Sequence, residues 1–320
     1  MAMIPVEARA LPSARALPGA QTWAVQAGGI TLAVELSGPP GGEPLLLVPG
    51  LGMQLTDWPT GLVAELGAAG FCVICADPRD LGLSQPMDDL GRAPVHATVL
   101  TQMFGLRSRV PYTLADLAQD AVHLLDTLGI GRAHVCGASM GGMVAQHLAA
   151  SHPQRLRSLT LMMSSSGSPW LPRGHPQVLQ QMFSRPPPRA HFDELVAHFA
   201  RLHRSIGSPN WPEPEQELEA RVRTGLLRAY RPQALERQAV AVMADGDRSA
   251  LLRHITAPTA VIHGGADPLV PPAAGRDLAK RIQGAVLDEI PGMGHDFPEA
   301  LWPRFVADLL SVARRAAAAG

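Results

Sequence analysis

Three side chains have the types that nucleophilic acyl chemistry needs, and each sits in a glycine-flanked turn: Ser139 in GASMG, Asp267 in HGGADPLVP and His295 in GMGHDFP. A serine hydroxyl is a poor nucleophile near neutral pH unless a base takes its proton. An imidazole serves best as that base when a carboxylate holds its other nitrogen. The G-x-S-x-G spacing alone is a weak pattern. It becomes specific when an apolar strand runs into it and a helix runs out, because the serine is then forced into a strained turn that flanking glycines tolerate. Here AHVCGA precedes the serine and MVAQHLAA follows. Such an elbow lifts the hydroxyl above the carboxyl edge of a parallel sheet, where open α/β folds bind ligands. It also sets the N–H of Met140 at a helix N-terminus, where negative charge is favoured.

An elbow of this kind asks for an acid and then a histidine further along the chain. Asp267 follows the apolar run TAVIH, and His295 follows AVLDEI. The competitors are few. His263 ends its strand and reads as structural; Asp296 reads as a cap on the last helix. SLTLMMSSSGSP offers serines but no carboxylate. In DPRDLGLS, Arg79 and Asp80 are expected to make buried structural contacts, and Asp245, Asp247 and Arg248 in ADGDRS a hinge or brace. His191, His198 and His203 flank the apolar stripe Phe192, Leu195, Val196, Phe199 and Leu202 and read as solvated surface groups. Met162, Met163, Met182 and Phe183 suit either an apolar substrate pocket or core packing.

Cys72 and Cys75 spell C-x-x-C, but inside a β-type run, where positions three apart face opposite sides of a sheet. They read as buried structural thiols. Three cysteines build no disulfide framework.

The elements that must position these groups alternate. TWAVQA and ITLAVEL, split by Gly28 and Gly29, predict a β-hairpin. PLLLV, FCVICA, AHVCGA and SLTLMM read as strands buried on both faces, with helices between them. One helix starts at YTLADLAQ, with Thr113 and Asp116 as its cap. From about Gly167 to about Arg253 the rhythm stops at RPPPR and SPNWPEPE and leaves only helical pieces. It resumes with TAVIHGG, AAGRDLAKRI, AVLDEI and a last helix, LWPRFVADLLSVARRAA. The expectation is an α/β protein with a mostly parallel sheet, helices on both faces, and a helical cap (167–253) inserted after the sixth strand into a core of 21–166 and 254–320. Residues 87–111 show no clear pattern and read as a lid or a disordered loop.

Composition narrows the partners. A net charge of −1 gives no basic field for nucleic acid or anionic membrane. No apolar run approaches the roughly 20 residues that span a bilayer. Residues 1–20 carry Pro5, Arg9, Pro12 and Arg15 and no sustained apolar stretch, so they predict a flexible leader rather than a secretory signal. A cytoplasmic location is the default expectation. The chemistry calls for a small-molecule substrate and for no metal or organic cofactor.

Taken together, VPGLGMQLTDW, DPRDLGLS, GASMGGMVAQ, DGDR, HGGADPLVP and GMGHDFP resemble the α/β-hydrolase superfamily, and within it the esterases grouped with aclacinomycin methylesterase. The resemblance covers essentially the whole chain past the leader. It implies an α/β-hydrolase fold and a serine carboxylesterase with Ser139 as nucleophile, His295 as base and Asp267 as the orienting acid. The oxyanion hole would combine Met140 N–H with a donor from the loop after PLLLV. Relatives often carry His-Gly-x there and this chain has Pro49-Gly50-Leu51-Gly52. By position the donor is Leu51 N–H, with Gly52 the alternative. Carbon–carbon bond hydrolases of dienoic ketoacids share the same three residues and are the nearest enzymatic rival. Their carboxylate substrates want inward-facing arginines, and no cap arginine stands out as one. A hydrolase-fold ligand receptor is the non-enzymatic rival.

Overall fold

Runs that are apolar at every position, such as LLLV and FCVICA, suit strands covered by helices on both faces. In the computed structural model they are neighbours near the centre of a nine-stranded sheet. The structure describes residues 4–5, 7–17, 19–104, 106, 108–187 and 189–319.

Three strands form the antiparallel side of the sheet: β1 (Arg9–Leu11), β2 (Gln21–Ala27) and β3 (Ile30–Ser37). The parallel part then follows, with β4 (Glu43–Val48), α1 (Thr60–Ala68), β5 (Phe71–Ala76), α2 (Val95–Met103), α3 (Leu114–Thr127), β6 (Ala133–Ala138), α4 (Met140–Ser151) and β7 (Leu156–Met162). Four helices come next: α5 (Pro176–Met182), α6 (Phe192–Ile206), α7 (Glu215–Arg228) and α8 (Pro232–Asp245). The chain ends with β8 (Thr259–Gly264), α9 (Ala273–Arg281), β9 (Val286–Ile290) and α10 (Trp302–Ala319). The strand order is β1-β2-β3-β5-β4-β6-β7-β8-β9, and every pair from β5 to β9 is parallel. Their carboxyl ends therefore share one edge.

Two apolar clusters cover the sheet. One packs Leu117, Leu124 and Leu125 of α3, Val144 and Leu148 of α4 and Leu278 of α9. The other packs Leu62 and Leu66 of α1 with Phe305 and Leu309 of α10. The α3 start is the one the sequence predicts: Thr113 Oγ1 accepts from Asp116 N–H, and the Asp116 carboxylate accepts from Thr113 N–H. No helix among the described residues is long and apolar enough to cross a membrane.

Three expectations need correction. The leader is not a loose tail. Arg9–Leu11 pairs antiparallel with Thr22–Ala24, and Arg15 is buried in an ion pair with Glu35 (2.8 Å) while donating to the carbonyls of Leu55 and Trp58. This extra strand also makes the helical insertion follow the seventh strand, not the sixth. A lone arginine in a Pro/Ala-rich stretch gives no sequence sign of a buried partner. Within 87–111, α2 forms and packs against α8, with Thr98 buried. Its β-branched content and exposed Val99 and Leu100 hide the helical period from sequence.

The cap histidines differ as well. His191 is exposed, but His198 is buried, and burial pushes the imidazole of the largely buried His203 down to about 4. His203 lies beside Arg221 of α7 and Glu213, while His198 packs edge-on against Phe199 of its own helix. Among the described residues no cluster of His, Cys, Asp and Glu is arranged to hold a metal. The three thiols are buried and free, and burial pushes Cys75 up to about 11 and Cys136 up to about 12.

Candidate active site

The elbow between β6 and α4 begins with a backbone that cannot relax. Ser139 adopts φ 52° and ψ −117°, in the left-handed region that a non-glycine residue enters only when its surroundings hold it there. Two close approaches do the holding. A Cβ on Gly137 would lie 2.3 Å from Gly141 O, and one on Gly141 would lie 2.0 Å from Val48 O. No side chain fits at either place. Ser139 N–H donates to Met162 O (2.8 Å), and the buried Ser164 hydroxyl donates to Ser139 O (2.8 Å). Ser139 itself is half-buried, and its Oγ makes no hydrogen bond among the described residues.

Asp267 and His295 meet. His295 Nδ1 lies 2.6 Å from Asp267 Oδ2, across 28 residues of chain. The other carboxylate oxygen, Oδ1, accepts from Leu269 N–H (2.9 Å) and Val270 N–H (2.8 Å), so the acid is fully engaged and cannot swing. Since the carboxylate can only accept, Nδ1 carries the proton and Nε2 is left with its lone pair. The loops bearing Asp267 and His295 follow β8 and β9 and thus lie on the same sheet edge as Ser139 after β6. The structure brings Asp267 and His295 into contact, with no direct hydrogen bond from Ser139 to the imidazole.

The loop after β4 lies beside the elbow. A Cβ on Gly50 would be 3.4 Å from Ser139 Cβ. Leu51 N–H donates to no acceptor among the described residues, whereas Gly52 N–H is taken by Gln238 Oε1 at 2.9 Å. That removes Gly52 as the alternative donor. Met140 opens α4, and its N–H has no intrahelical acceptor. Met140 N–H, next to Ser139 in the chain, and Leu51 N–H, next to Gly50, are thus both unpaired among the described residues.

The remaining singled-out residues are accounted for by structure. His263 is buried, with Nε2 2.8 Å from Val270 O; it ties down the loop that carries Asp267, and burial lowers its proton affinity. Contrary to the expectation from its position, Asp296 does not cap the last helix. It accepts from Ser208 N–H (2.9 Å) and from the Ser208 hydroxyl, whose oxygen accepts from Gly294 N–H (2.8 Å). With His295 N–H donating to Ile206 O (2.7 Å), this knot fastens the histidine loop to the end of α6. Met162 and Met163 are core residues, while Phe183 is exposed.

The polar contacts of DPRDLGLS reach further than expected. Arg79 forms a two-point pair with Asp120 (2.5 Å each). Asp80, at φ 75°, forms a second one with Arg237 of α8 (2.6 and 2.8 Å). Burial alone would raise the Asp80 carboxyl, but hydrogen bonds from Arg237 and Met87 N–H outweigh it and hold the group below the usual aspartate value. Asp77 pairs with Arg228 of α7 (2.8 Å), and Arg231 donates to Ser84 O (3.0 Å). Three cap arginines therefore face the core, contrary to the sequence reading, and each is already engaged there. Asp245 pairs with His147 (2.8 Å) and Arg248, and Arg248 donates to Ser165 O (2.9 Å), which makes this end of the cap a brace. Sequence gave no sign of Ser164, Ser208 or Gln238, since isolated polar residues in apolar or serine-rich runs carry no spacing signal.

The alpha/beta hydrolase fold family matches residues 43–299. The chain is 31% identical over 307 residues to the rhodomycin D methylesterase of Streptomyces sp. (strain C5), covering 90% of this chain and 96% of that protein. The same figures hold for the rhodomycin D methylesterase of Streptomyces peucetius. Among solved structures, a hydrolase from Pseudomonas aeruginosa PA01 superposes with a TM-score of 0.65 at 26% identity, over 96% of this chain and 98% of its own.

Proposed function

The chain belongs to the α/β-hydrolase fold family, and on that premise we propose that it is a serine carboxylesterase whose triad is Ser139, His295 and Asp267. The observation that carries this reading is the 2.6 Å bond between His295 Nδ1 and Asp267 Oδ2, which leaves Nε2 basic at the edge where Ser139 projects a free hydroxyl. Ser139 Oγ attacks the ester carbon as His295 Nε2 takes its proton, and Asp267 stabilises the imidazolium that forms. Leu51 and Met140 N–H groups receive the oxyanion, a term of about 3–4 kcal/mol per donor in comparable sites. His295 then protonates the leaving alcohol. A water deprotonated by the same imidazole attacks the acyl-enzyme, and the acid is released.

The similarity to two methylesterases makes a methyl ester of an apolar acid the first substrate to test. The inward cap arginines speak against a carbon–carbon hydrolase for dienoic ketoacids, because Arg228 and Arg237 are paired with Asp77 and Asp80 and not free for a substrate carboxylate. A panel of methyl and p-nitrophenyl esters beside a ring-cleavage dienoate separates these readings. Ester turnover that disappears in Ser139→Ala is expected. Full hydrolysis by Ser139→Ala would refute the triad, and a burst without steady turnover would point to a receptor.

A further inference from the structure

One buried amide in the cap touches the loop that carries the proposed oxyanion donor. Gln238 lies on α8 with no solvent exposure, and its Oε1 accepts from Gly52 N–H at 2.9 Å. A backbone N–H can only donate, so the amide oxygen must face the loop and the NH2 must face away. That NH2 has no hydrogen-bond partner. A buried donor left unsatisfied is unfavourable, and an apolar side chain of similar shape would avoid it. Yet the position is a glutamine, and what the glutamine alone supplies is an acceptor for Gly52.

The loop needs one. Pro49 has no N–H and no polar side chain with which to hold the turn, and Gly50 N–H reaches only the weak acceptor Met53 Sδ at 3.2 Å. Gly52 stands at φ 74°, where glycine moves freely in the absence of an external tether. The cap supplies two tethers, both just after Leu51. Beyond Gly52, Gln54 Nε2 donates to Gly225 O (2.8 Å) and its Oε1 accepts from Arg228 (2.6 Å). Helix α8 is itself fixed to the core by the adjacent Arg237–Asp80 pair, so Gln238 presents its oxygen from a rigid support.

We propose that Gln238 is a positioning residue for ester hydrolysis: by capturing Gly52 N–H it fixes the Pro49–Met53 turn so that Leu51 N–H stays free and aimed at the oxyanion. The cap thereby completes the catalytic edge as well as covering it. This rests on the esterase reading above. Substrate binding does not need the Leu51 donor, whereas the transition state does, so the loss appears in kcat and not in KM.

The test measures steady-state hydrolysis of a p-nitrophenyl ester by wild type, Gln238→Met, Gln238→Glu and Ser139→Ala, with a thermal melt for each. Gln238→Met keeps the volume and removes the acceptor; its kcat should fall about 10- to 100-fold, the size of effect that a displacement near 1 Å produces, with KM changed less than about threefold. Gln238→Glu keeps an acceptor. Where it is the neutral acid it should keep most of the wild-type kcat measured at the same pH, and as the carboxylate ionises near the oxyanion its kcat should fall away from wild type, adding a falling limb to the kcat–pH profile that wild type lacks. If either variant fails to fold, the other decides. The proposal is overturned if Gln238→Met keeps kcat within about twofold, if its loss lies in KM, or if Gln238→Glu shows no new limb. Residual turnover in Ser139→Ala would instead overturn the esterase reading on which it rests.

Discussion

At the carboxyl edge of the sheet, the groups of the proposed triad are fixed by backbone hydrogen bonds and by glycine approaches too close for any side chain. The cap reaches the same edge through long arginines paired with Asp77 and Asp80, and through single side chains such as Gln238 and Ser208. Backbone contacts tolerate no displacement, which suits chemistry that needs its groups held within about 0.5 Å. The cap's arginine pairs instead join largely buried charged groups, whose separation costs folding stability. Changes at the edge, and at Gln238 where the cap grips it, should therefore strike turnover, and changes in the cap's arginine–aspartate pairs should strike stability.

The largest effect expected is at the edge. Asp267→Asn removes the charge that holds the His295 tautomer and should lower kcat about 10³- to 10⁴-fold, with the melting temperature nearly unchanged. A parallel loss of stability and turnover would erase the contrast. Next comes the cap. Arg237→Met leaves the fully buried Asp80 without its partner and should cost about 3–5 kcal/mol in denaturant unfolding, while turnover per folded molecule falls far less than in Asp267→Asn. Adding Asp80→Asn, which removes the unpaired charge, tolerates φ 75° and still accepts from Met87 N–H, should recover part of that stability.

The third change mixes the two regimes. Gly141→Ala drives a methyl into Val48 O and Pro49 O, which would lie 2.0 and 2.5 Å away, and so parts the elbow from the loop after β4. It should cost about 1–3 kcal/mol and lower kcat as well. Gly131→Ala, whose added methyl meets nothing within 4 Å, is the matched control and should stay within about 0.5 kcal/mol of wild type.

The smallest is a pH effect in the cap. Burial holds His203 down to about 4, so between that value and the ordinary 6.5 the unfolded chain binds a proton that the folded chain does not. Stability is full above the unfolded value, falls as pH drops through the window, and levels off below about 4. After allowance for partial exposure the loss should be about 1 kcal/mol, and His203→Gln should abolish it; urea titrations at the two ends of the window measure it.

How much of this was legible beforehand follows the same division. Ser139, Asp267 and His295 each sit in a turn whose glycines are demanded by close backbone approach, and such demands leave a pattern in the sequence. The sheet was equally visible, because strands covered on both faces must be apolar throughout. The cap's attachments were not. Arg228 and Arg237 look like any arginine on an amphipathic helix, and their partners stand about 150 residues away in the chain. The buried Arg15 and helix α2 escaped for a similar reason. Each depends on a tertiary partner that local spacing does not encode.

The central claim is that Ser139 is a nucleophile activated by His295. It is tested most directly by treating the protein with a fluorophosphonate and mapping the adduct by peptide mass spectrometry. The account predicts one adduct, on Ser139, with labelling slowed at least about 10³-fold in His295→Ala. An adduct on another residue, or undiminished labelling of Ser139 in His295→Ala, would contradict it.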